Sequence, residues 1–410
     1  MPEFFNVVAP DEALETLRRH LELRVESERV ATADSLGRTT AQEVLSPEDL
    51  PAFARSAMDG YSVRAGDTFG ATEGLPAYLE VVGEVPMGAR PQVAVGPGQA
   101  AGAYTGGMLA SGADAVVMVE HTQQVDDATI EVLRPVAPGE NVLQIAEDVR
   151  TGERVLPQGH MVRPQDVGGI LALGITEIDV ARRPRVSIVS TGDELLPPHE
   201  MPAPGQVRDI NTYTVSALVS RAGGVPMPLP LVGDDYDDQR QAALRGLDQA
   251  DVLVFSAGSS VSSHDKTAAV MDSLGSPGVL VHGISVKPGK PTVVAVVDGK
   301  PAFGLPGNPV SAMVVFELLV RPTIYLLGGC DRPPEPPTVE ATLLRDVDSV
   351  AGREDHVQVR VVQQNGALCA DPIFGKSNLI YTLVRSDGTV KVPLDAGGIY
   401  AGDTVAVRLY

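Results

Sequence analysis

The stretch Leu305-Pro306-Gly307-Asn308-Pro309-Val310-Ser311-Ala312 constrains this chain more than any other. It joins a short apolar segment at 301–303 to the helical pattern of Met313, Phe316, Glu317, Leu318 and Val320. Asn308 can cap that helix by accepting a hydrogen bond, and Pro309 suits its first position, where a missing N–H costs nothing. Gly304 and Gly307 allow a tight turn and close approach of a ligand. The unpaired N–H groups of such a helix start favour an anion. Just upstream, Lys287-Pro288-Gly289-Lys290-Pro291 sets two cations in a proline-stiffened turn. An anion pocket is expected here.

Elsewhere the balance is acidic. The 410 residues carry a formal net charge of −21. That argues against a general nucleic-acid or anionic-membrane binder, because both need broad positive fields. Positive charge for an anionic substrate must then be local, with a divalent metal expected to help. The length predicts three or four domains, and the 43% apolar content predicts an ordinary globular chain. Cys330 and Cys369 fall in no metal-like or CxxC spacing, so no disulfide framework is expected and a reduced, cytoplasmic setting fits. The first residues lack a basic-then-apolar signal pattern, and no apolar run approaches about 18 residues, so no membrane span is expected.

Periodicity divides the chain. Residues 11–23 read as a helix capped by Asp11, with Leu14, Leu17 and Leu21 at helical spacing. Residues 46–60 are loop-like. From 61 to about 139, β-branched runs (79–82, 115–119, 129–133) alternate with Gly, Pro and Asp, as in a small all-β module. A helix opened by Pro164 and ended by Gly174 follows. Between 183 and 329, apolar runs at 186–189, 252–255 and 292–297 alternate with helical stretches at 212–222 and 237–250. This is the pattern of a parallel sheet covered on both faces, which binds ligands beyond the carboxyl ends of its strands. Pro333, Pro334, Pro336 and Pro337 make a stiff connector, and alternation at 357–362, 390–392 and 405–409 predicts a second small β domain.

Ser190-Thr191-Gly192-Asp193-Glu194-Leu195 follows the first strand of the α/β region. Its carboxylates read either as ligands for a hard cation or as a turn with Asp193 as cap. Gly233-Asp234-Asp235 offers the same two readings, with helix capping preferred for Asp235. The Gly/Ser loop at 257–265 can cradle phosphate through N–H and hydroxyl groups, and ends in Asp265, a further metal-ligand candidate. Lys287 and Lys290 read equally as anion ligands or as exposed charges around a Pro-Gly turn. The stretch is no P-loop, because Lys290 is followed by proline and the glycine spacing is wrong. The seven histidines include no HExxH arrangement, so no zinc site is expected. Ser56-Ala57-Met58-Asp59-Gly60-Tyr61 and Thr105-Gly106-Gly107 carry turn signals that, taken alone, read as structural.

In this order and together, these stretches resemble the molybdenum insertase family, the MoeA type of molybdopterin molybdenumtransferase, over nearly the whole chain. The likeness also includes Asn141 with Glu147-Asp148, and in the tail Gly352-Arg353, Gly375-Lys376-Ser377 and Ser386-Asp387-Gly388. Its most specific part is KPGKP with LPGNPVSA. The resemblance implies a multi-domain α/β plus β fold. A helical domain in two segments (1–45 and 146–180) would hold an inserted β domain (46–145), followed by an α/β molybdopterin-binding domain (181–329) and a C-terminal β barrel (330–410). It also implies a homodimer in which the inserted domain of one subunit faces the α/β and C-terminal domains of the other. Asp59 and Thr105 would thereby join Glu194, Asp234, Asp265 and Lys287 in one catalytic site.

The implied reaction uses adenylylated molybdopterin, molybdate and Mg²⁺; molybdenum enters at the dithiolene and the pyrophosphate bond is cleaved to release AMP. Glu194, Asp234 and Asp265 would carry Mg²⁺. Thr191, Gly192, Gly258, Ser259, Ser260, Lys287, Lys290, Pro306, Gly307, Asn308 and Ser377 would hold the substrate, and Arg353 an anionic group of it. Asp59 and Thr105 would position the oxyanion and the attacking oxygen.

Three departures from the family pattern bear on molybdate affinity and on the choice between molybdate and tungstate. The family's Gly-Gly-Val-Ser-Val-Gly is here Gly258-Ser259-Ser260-Val261-Ser262-Ser263, a lysine found before KPGKP falls near His282-Gly283, and Val142, Leu143 and Gln144 stand where basic residues are usual. Two other functions compete. Adenylylation of molybdopterin by ATP would leave the first 180 residues and the C-terminal module without a role. A non-catalytic molybdopterin carrier or scaffold is associated with an added domain and long linker, neither of which appears here. A molybdopterin adenylyltransferase and molybdoenzyme acceptors are compatible partners; nucleic acid and membrane are not expected.

Overall fold

The computed structural model describes residues 7–257, 261–330 and 332–410, with the backbone alone for 261–265. Its central sheet has six strands in the spatial order Val225–Pro228, Arg185–Ser190, Val252–Ala257, Lys300–Pro306, Val293–Val297, Pro277–His282. The first four run parallel, and the last two run antiparallel to their neighbours. The expected parallel sheet is present, but the run at 292–297 joins it antiparallel, through a hairpin. Asp298 (φ 48°) and Gly299 (φ 84°) form the two-residue link between Val293–Val297 and Lys300–Pro306. Two left-handed residues in such a link match the twist of paired strands and turn the chain straight back.

Both faces of this sheet are covered. Asn211–Arg221 and Pro309–Leu327 pack on one face, and Tyr236–Gln249 and Val261–Asp272 on the other. Pro309–Leu327, 19 residues with mean hydropathy 1.7, is long and apolar enough to cross a membrane by length and composition. Glu317 and Arg321 break the apolar run within it, as the sequence shows, and 61% of its most apolar window is buried inside the protein, as in a core helix. Phe316, Leu319, Val320 and Ile324 are buried in the core, each contributing about 2 kcal/mol of transfer free energy. Pro322 has no N–H to close the ladder, and Arg321 N–H reaches back five residues to Phe316 O, making one π turn at Phe316–Val320.

The first helix runs Pro10–His20 from Ala9 as N-cap, without the Asp11 cap expected of it. Its Ala13 and Leu17 belong to the α/β core. The remainder of the first segment behaves differently: Ser27–Ala31 pairs with Glu177–Ala181, and Val44–Leu45 with Arg154–Leu156. Residues 1–45 thus contribute one helix to the α/β core and two strands paired with strands between 154 and 181. Pro164–Ala172 starts where Asp166 accepts from Arg163 N–H and lies against His160 Nε2.

Between these segments six strands form a curled sheet, ordered Ala115–Met118, Gly60–Val63, Gln99–Ala103, Ala77–Glu84, Thr129–Val132, Thr122–Asp126. The C-terminal module closes on itself. Glu354–Gln364, Ala367–Pro372, Thr338–Leu343, Thr404–Leu409 and Gly388–Val392 pair in that order, and Gly388–Val392 pairs back with Glu354–Gln364. Val286–Lys287 adds a parallel edge to Glu354–Gln364, so the KPGKP turn is fastened to the barrel.

Candidate active site

The parallel strands Arg185–Ser190, Val252–Ala257 and Lys300–Pro306 end together, and their loops converge. Asn211 Nδ2 donates to Ser256 Oγ (2.7 Å) and to Gly307 O (2.8 Å), pinning the LPGNP turn to the neighbouring strand end. Ser190 and Thr212 hydroxyls bond at 2.7 Å beneath it, next to the buried Thr191. The loop after Ser190 is zipped to the one after Val232: Gly192 N–H donates to Val232 O (3.0 Å), and Asp193 Oδ1 accepts from Asp234 N–H (3.0 Å). Glu194 and Asp234, both half-buried, thus lie on adjoining loops, with Lys266 Nζ donating to Asp234 O (3.1 Å). Asp235 caps Tyr236–Gln249 by accepting from the N–H groups of Asp237 and Asp238, as its capping reading expects.

Among the described residues, no three Asp, Glu, His or Cys side chains are grouped as a metal site. Of the expected trio, Glu194 and Asp234 come from neighbouring loops, while the side chain of Asp265 lies outside the described residues, as do Gly258, Ser259 and Ser260.

Asn308 occupies the N-cap position before Pro309, yet its side chain bonds no helix N–H, correcting the capping expectation. Its Nδ2 donates instead to Ser377 Oγ (3.0 Å), and Val310 N–H donates to Ser377 O (3.1 Å). The barrel loop has taken over the amide, so Ser377 joins the helix start directly. Asp355 makes the second link between the modules. Its carboxylate, 3% exposed, receives Lys287 Nζ at 3.2 Å and Arg353 Nε at 2.8 Å. Asp355 was missed in the sequence, where the available signal was a carboxylate two residues after Arg353 in a strand of otherwise ordinary alternation.

These links frame a cleft of about 640 Å³ lined by Lys287, Asn308, Asp355, Phe374, Lys376 and Ser377. A recess of about 280 Å³ beside it adds Lys290, Pro306 and Arg353. Four cationic side chains, Lys287, Lys290, Arg353 and Lys376, therefore gather at a helix start in a strongly acidic chain.

Asp59 and Thr105 form a separate cluster at the end of the curled sheet. Asp59 Oδ1 accepts from Thr105 N–H (2.8 Å) and Thr105 Oγ1 (2.9 Å). The backbone bond first, and then the hydroxyl, hold the Asp59 carboxyl below the usual carboxylate range. Around the pair, Ser56 N–H bonds Gly107 O, Gly106 N–H bonds Ser56 O, and Ala57 N–H bonds Asn141 O. Three motifs that looked unrelated in sequence form one knot. Among the described residues, none before 286 lines the cationic cleft or its recess, so one copy of the chain does not bring Asp59 to Lys287 there.

Replacing Thr105 by Val removes the hydroxyl donor and keeps the backbone one. The Asp59 pKa is expected to rise toward the ordinary value, read by NMR titration of the carboxyl carbon; an unchanged titration would refute the hydroxyl's part. The sign follows from a depressed native pKa: the bonds' stabilisation is complete above the unfolded value of about 3.9 and is lost as pH falls through the native one.

An α/β layer, a curled inserted sheet and a closed barrel, with cations gathered where strand ends meet the barrel, define a multi-domain protein with a cationic cleft between its modules. Family profiles described as "MoeA N-terminal region (domain I and II)", "Probable molybdopterin binding domain" and "MoeA C-terminal region (domain IV)" match residues 8–174, 187–325 and 340–410. The chain is 33% identical over 403 residues to the molybdopterin molybdenumtransferase of Bacillus subtilis, covering 96% of this chain and 93% of that one. It is 32% identical over 400 residues to the enzyme of the same name from Haemophilus influenzae, covering 97% of each. The crystal structure of the molybdopterin biosynthesis MoeA protein from Pyrococcus horikoshii OT3 matches with a TM-score of 0.85 at 31% identity, covering 99% of this chain and 100% of that one. The chain belongs to the MoeA family.

Proposed function

We propose that this chain is a molybdenum insertase of molybdenum cofactor biosynthesis, a molybdopterin molybdenumtransferase that moves molybdenum from molybdate to adenylylated molybdopterin and releases AMP. The observation that carries this reading is the cationic cleft in which Lys287 and Arg353 are held on one buried carboxylate beside the Asn308 helix start. A pyrophosphate bridging two organic groups needs such preset cations, because ordering them beforehand removes an entropic cost at the reacting centre. Lys287, Lys290 and Lys376 bind phosphate oxygens as point charges, and Arg353 presents a planar fork to a second anionic group.

Glu194 and Asp234 would hold Mg²⁺, with hard carboxylate oxygens of the kind this ion prefers. A side chain at Gly192 would fill the space that the Glu194 carboxylate occupies, since its Cβ would lie 2.6 Å from Glu194 Oε2. When bound, Mg²⁺ neutralises charge on the pyrophosphate. Asp59 and Thr105 are supplied by a second copy: Met58, Met87 and Tyr104 are exposed around them, an apolar rim suited to burial in a homodimer. The proposed setting is cytoplasmic, where a molybdopterin adenylyltransferase would deliver substrate and molybdoenzymes would accept product.

Purified protein with adenylylated molybdopterin and Mg²⁺ is expected to release AMP in a molybdate-dependent manner and to yield active cofactor. Tight substrate binding without release would refute the insertase reading and leave a carrier.

A further inference from the structure

A separate cavity of about 290 Å³ lies among the helix Pro309–Leu327, the proline connector and the barrel's last strand. It shares one lining residue, His356, with the substrate cleft. Its walls are largely apolar, from side chains such as Leu218, Met313, Leu318 and Leu383. Against them stand three guanidiniums around one carboxylate: Glu317 lies 2.5 Å from Arg221, 3.0 Å from Arg408 and 3.7 Å from Arg321. Each guanidinium has five N–H donors, so one glutamate cannot use them all. Burial first, against the pull of Glu317, and then the neighbouring Arg321 and Arg221 push the Arg408 pKa down. Glu335 also lines the cavity, so three guanidiniums face two carboxylates there.

Two further features point the same way. The His356 side chain is 9% exposed and lines the cavity, its Nε2 lying 3.5 Å from the Glu354 carboxylate. Glu317 sits in the π turn, a helix irregularity frequent at functional sites. An ion network serving only to stabilise the fold would be packed over by the side chains around it. This one surrounds open, apolar space.

We propose that this cavity binds a small organic anion with an apolar or aromatic body, such as a carboxylate, a sulfonate or a phosphate ester, at a site distinct from the substrate cleft. The anionic group lies against Arg221 and Arg408, with the His356 ring as a third polar contact, and the body fills the space between Met313 and Leu383. Arg221 belongs to the α/β layer and Arg408 to the barrel, so the ligand bridges the two modules.

The chain has no tryptophan, so Thr389→Trp places a sole indole on the cavity wall. With anilinonaphthalene sulfonate as probe, saturable one-to-one binding with energy transfer from that indole is expected. The neutral analogue N-phenylnaphthylamine should bind at least about tenfold more weakly. Adding Arg221→Gln and Arg408→Gln should weaken the sulfonate by at least about tenfold. Circular dichroism checks folding, and if the double change unfolds the barrel, the half-exposed Arg221→Gln alone carries the comparison. Absence of transfer, equal binding of the neutral analogue, or unchanged affinity after charge removal each overturns the site.

Discussion

Replacing Asp355 by Asn is expected to lower kcat/KM about a hundredfold while leaving the barrel folded. The amide keeps the shape of the carboxylate but loses its charge, and it cannot accept from Lys287 and Arg353 as the carboxylate does. Both cations are partly exposed, 56% and 36%, so they turn to solvent instead of remaining buried and uncompensated. The folding cost is therefore small, about 1 kcal/mol. The loss falls on geometry: Lys287 stands on a strand paired with the barrel, Arg353 precedes that barrel strand, and their common anchor fixes the distance between them. Asp355→Glu, which restores the charge, should recover part of the loss. Steady-state kinetics with a melting curve on each variant decides the matter. Parental kcat/KM in Asp355→Asn, or a loss matched by unfolding, would refute the positioning role.

Gly60→Ala should produce the largest stability change. A Cβ at Gly60 would lie 1.9 Å from Val117 O and 3.0 Å from Met118 Cα. Those are backbone atoms of the paired strand Ala115–Met118, and no side-chain rotation relieves the contact. Gly60 also pairs with Ala103 on its other side, so the strand is held from both edges and cannot shift away. A cost of about 3 kcal/mol or more is expected, borne by the curled sheet. Asp59 directly precedes the displaced residue, so its bonds to Thr105 should be lost and turnover with them. Amide hydrogen exchange locates the damage: exchange in residues 60–63 and 115–118 should accelerate while the α/β core stays protected. Parental exchange throughout would contradict the close-approach argument.

What could be read from sequence was what local chemistry decides. Gly307 and Pro309 specify a turn and a helix start without help from the rest of the chain, and Asp235 caps its helix for the same reason. The Asp298-Gly299 hairpin was also local, but the flanking apolar runs match buried parallel strands as well as paired antiparallel ones. Tertiary contacts decided the rest. Asp355 meets Lys287 across 68 positions, Asn308 leaves its capping role for a serine 69 positions away, and Glu317 meets Arg221 across 96. No periodicity records such pairings. The family resemblance grouped the motifs; the backbone knot at Ser56, Gly107 and Asn141 supplies the physical reason that three of them belong together.

Mixing Asp59→Ala and Lys287→Ala chains tests most directly whether one insertase site draws on two copies. Each variant alone should show almost no molybdate-dependent AMP release. Random exchange makes about half of the dimers mixed, and each mixed dimer holds one intact site of its two, so recovery of about a quarter of parental activity is predicted. Activity no higher than that of the separate variants, in a mixture verified by mass to contain mixed dimers, would contradict a site shared between copies.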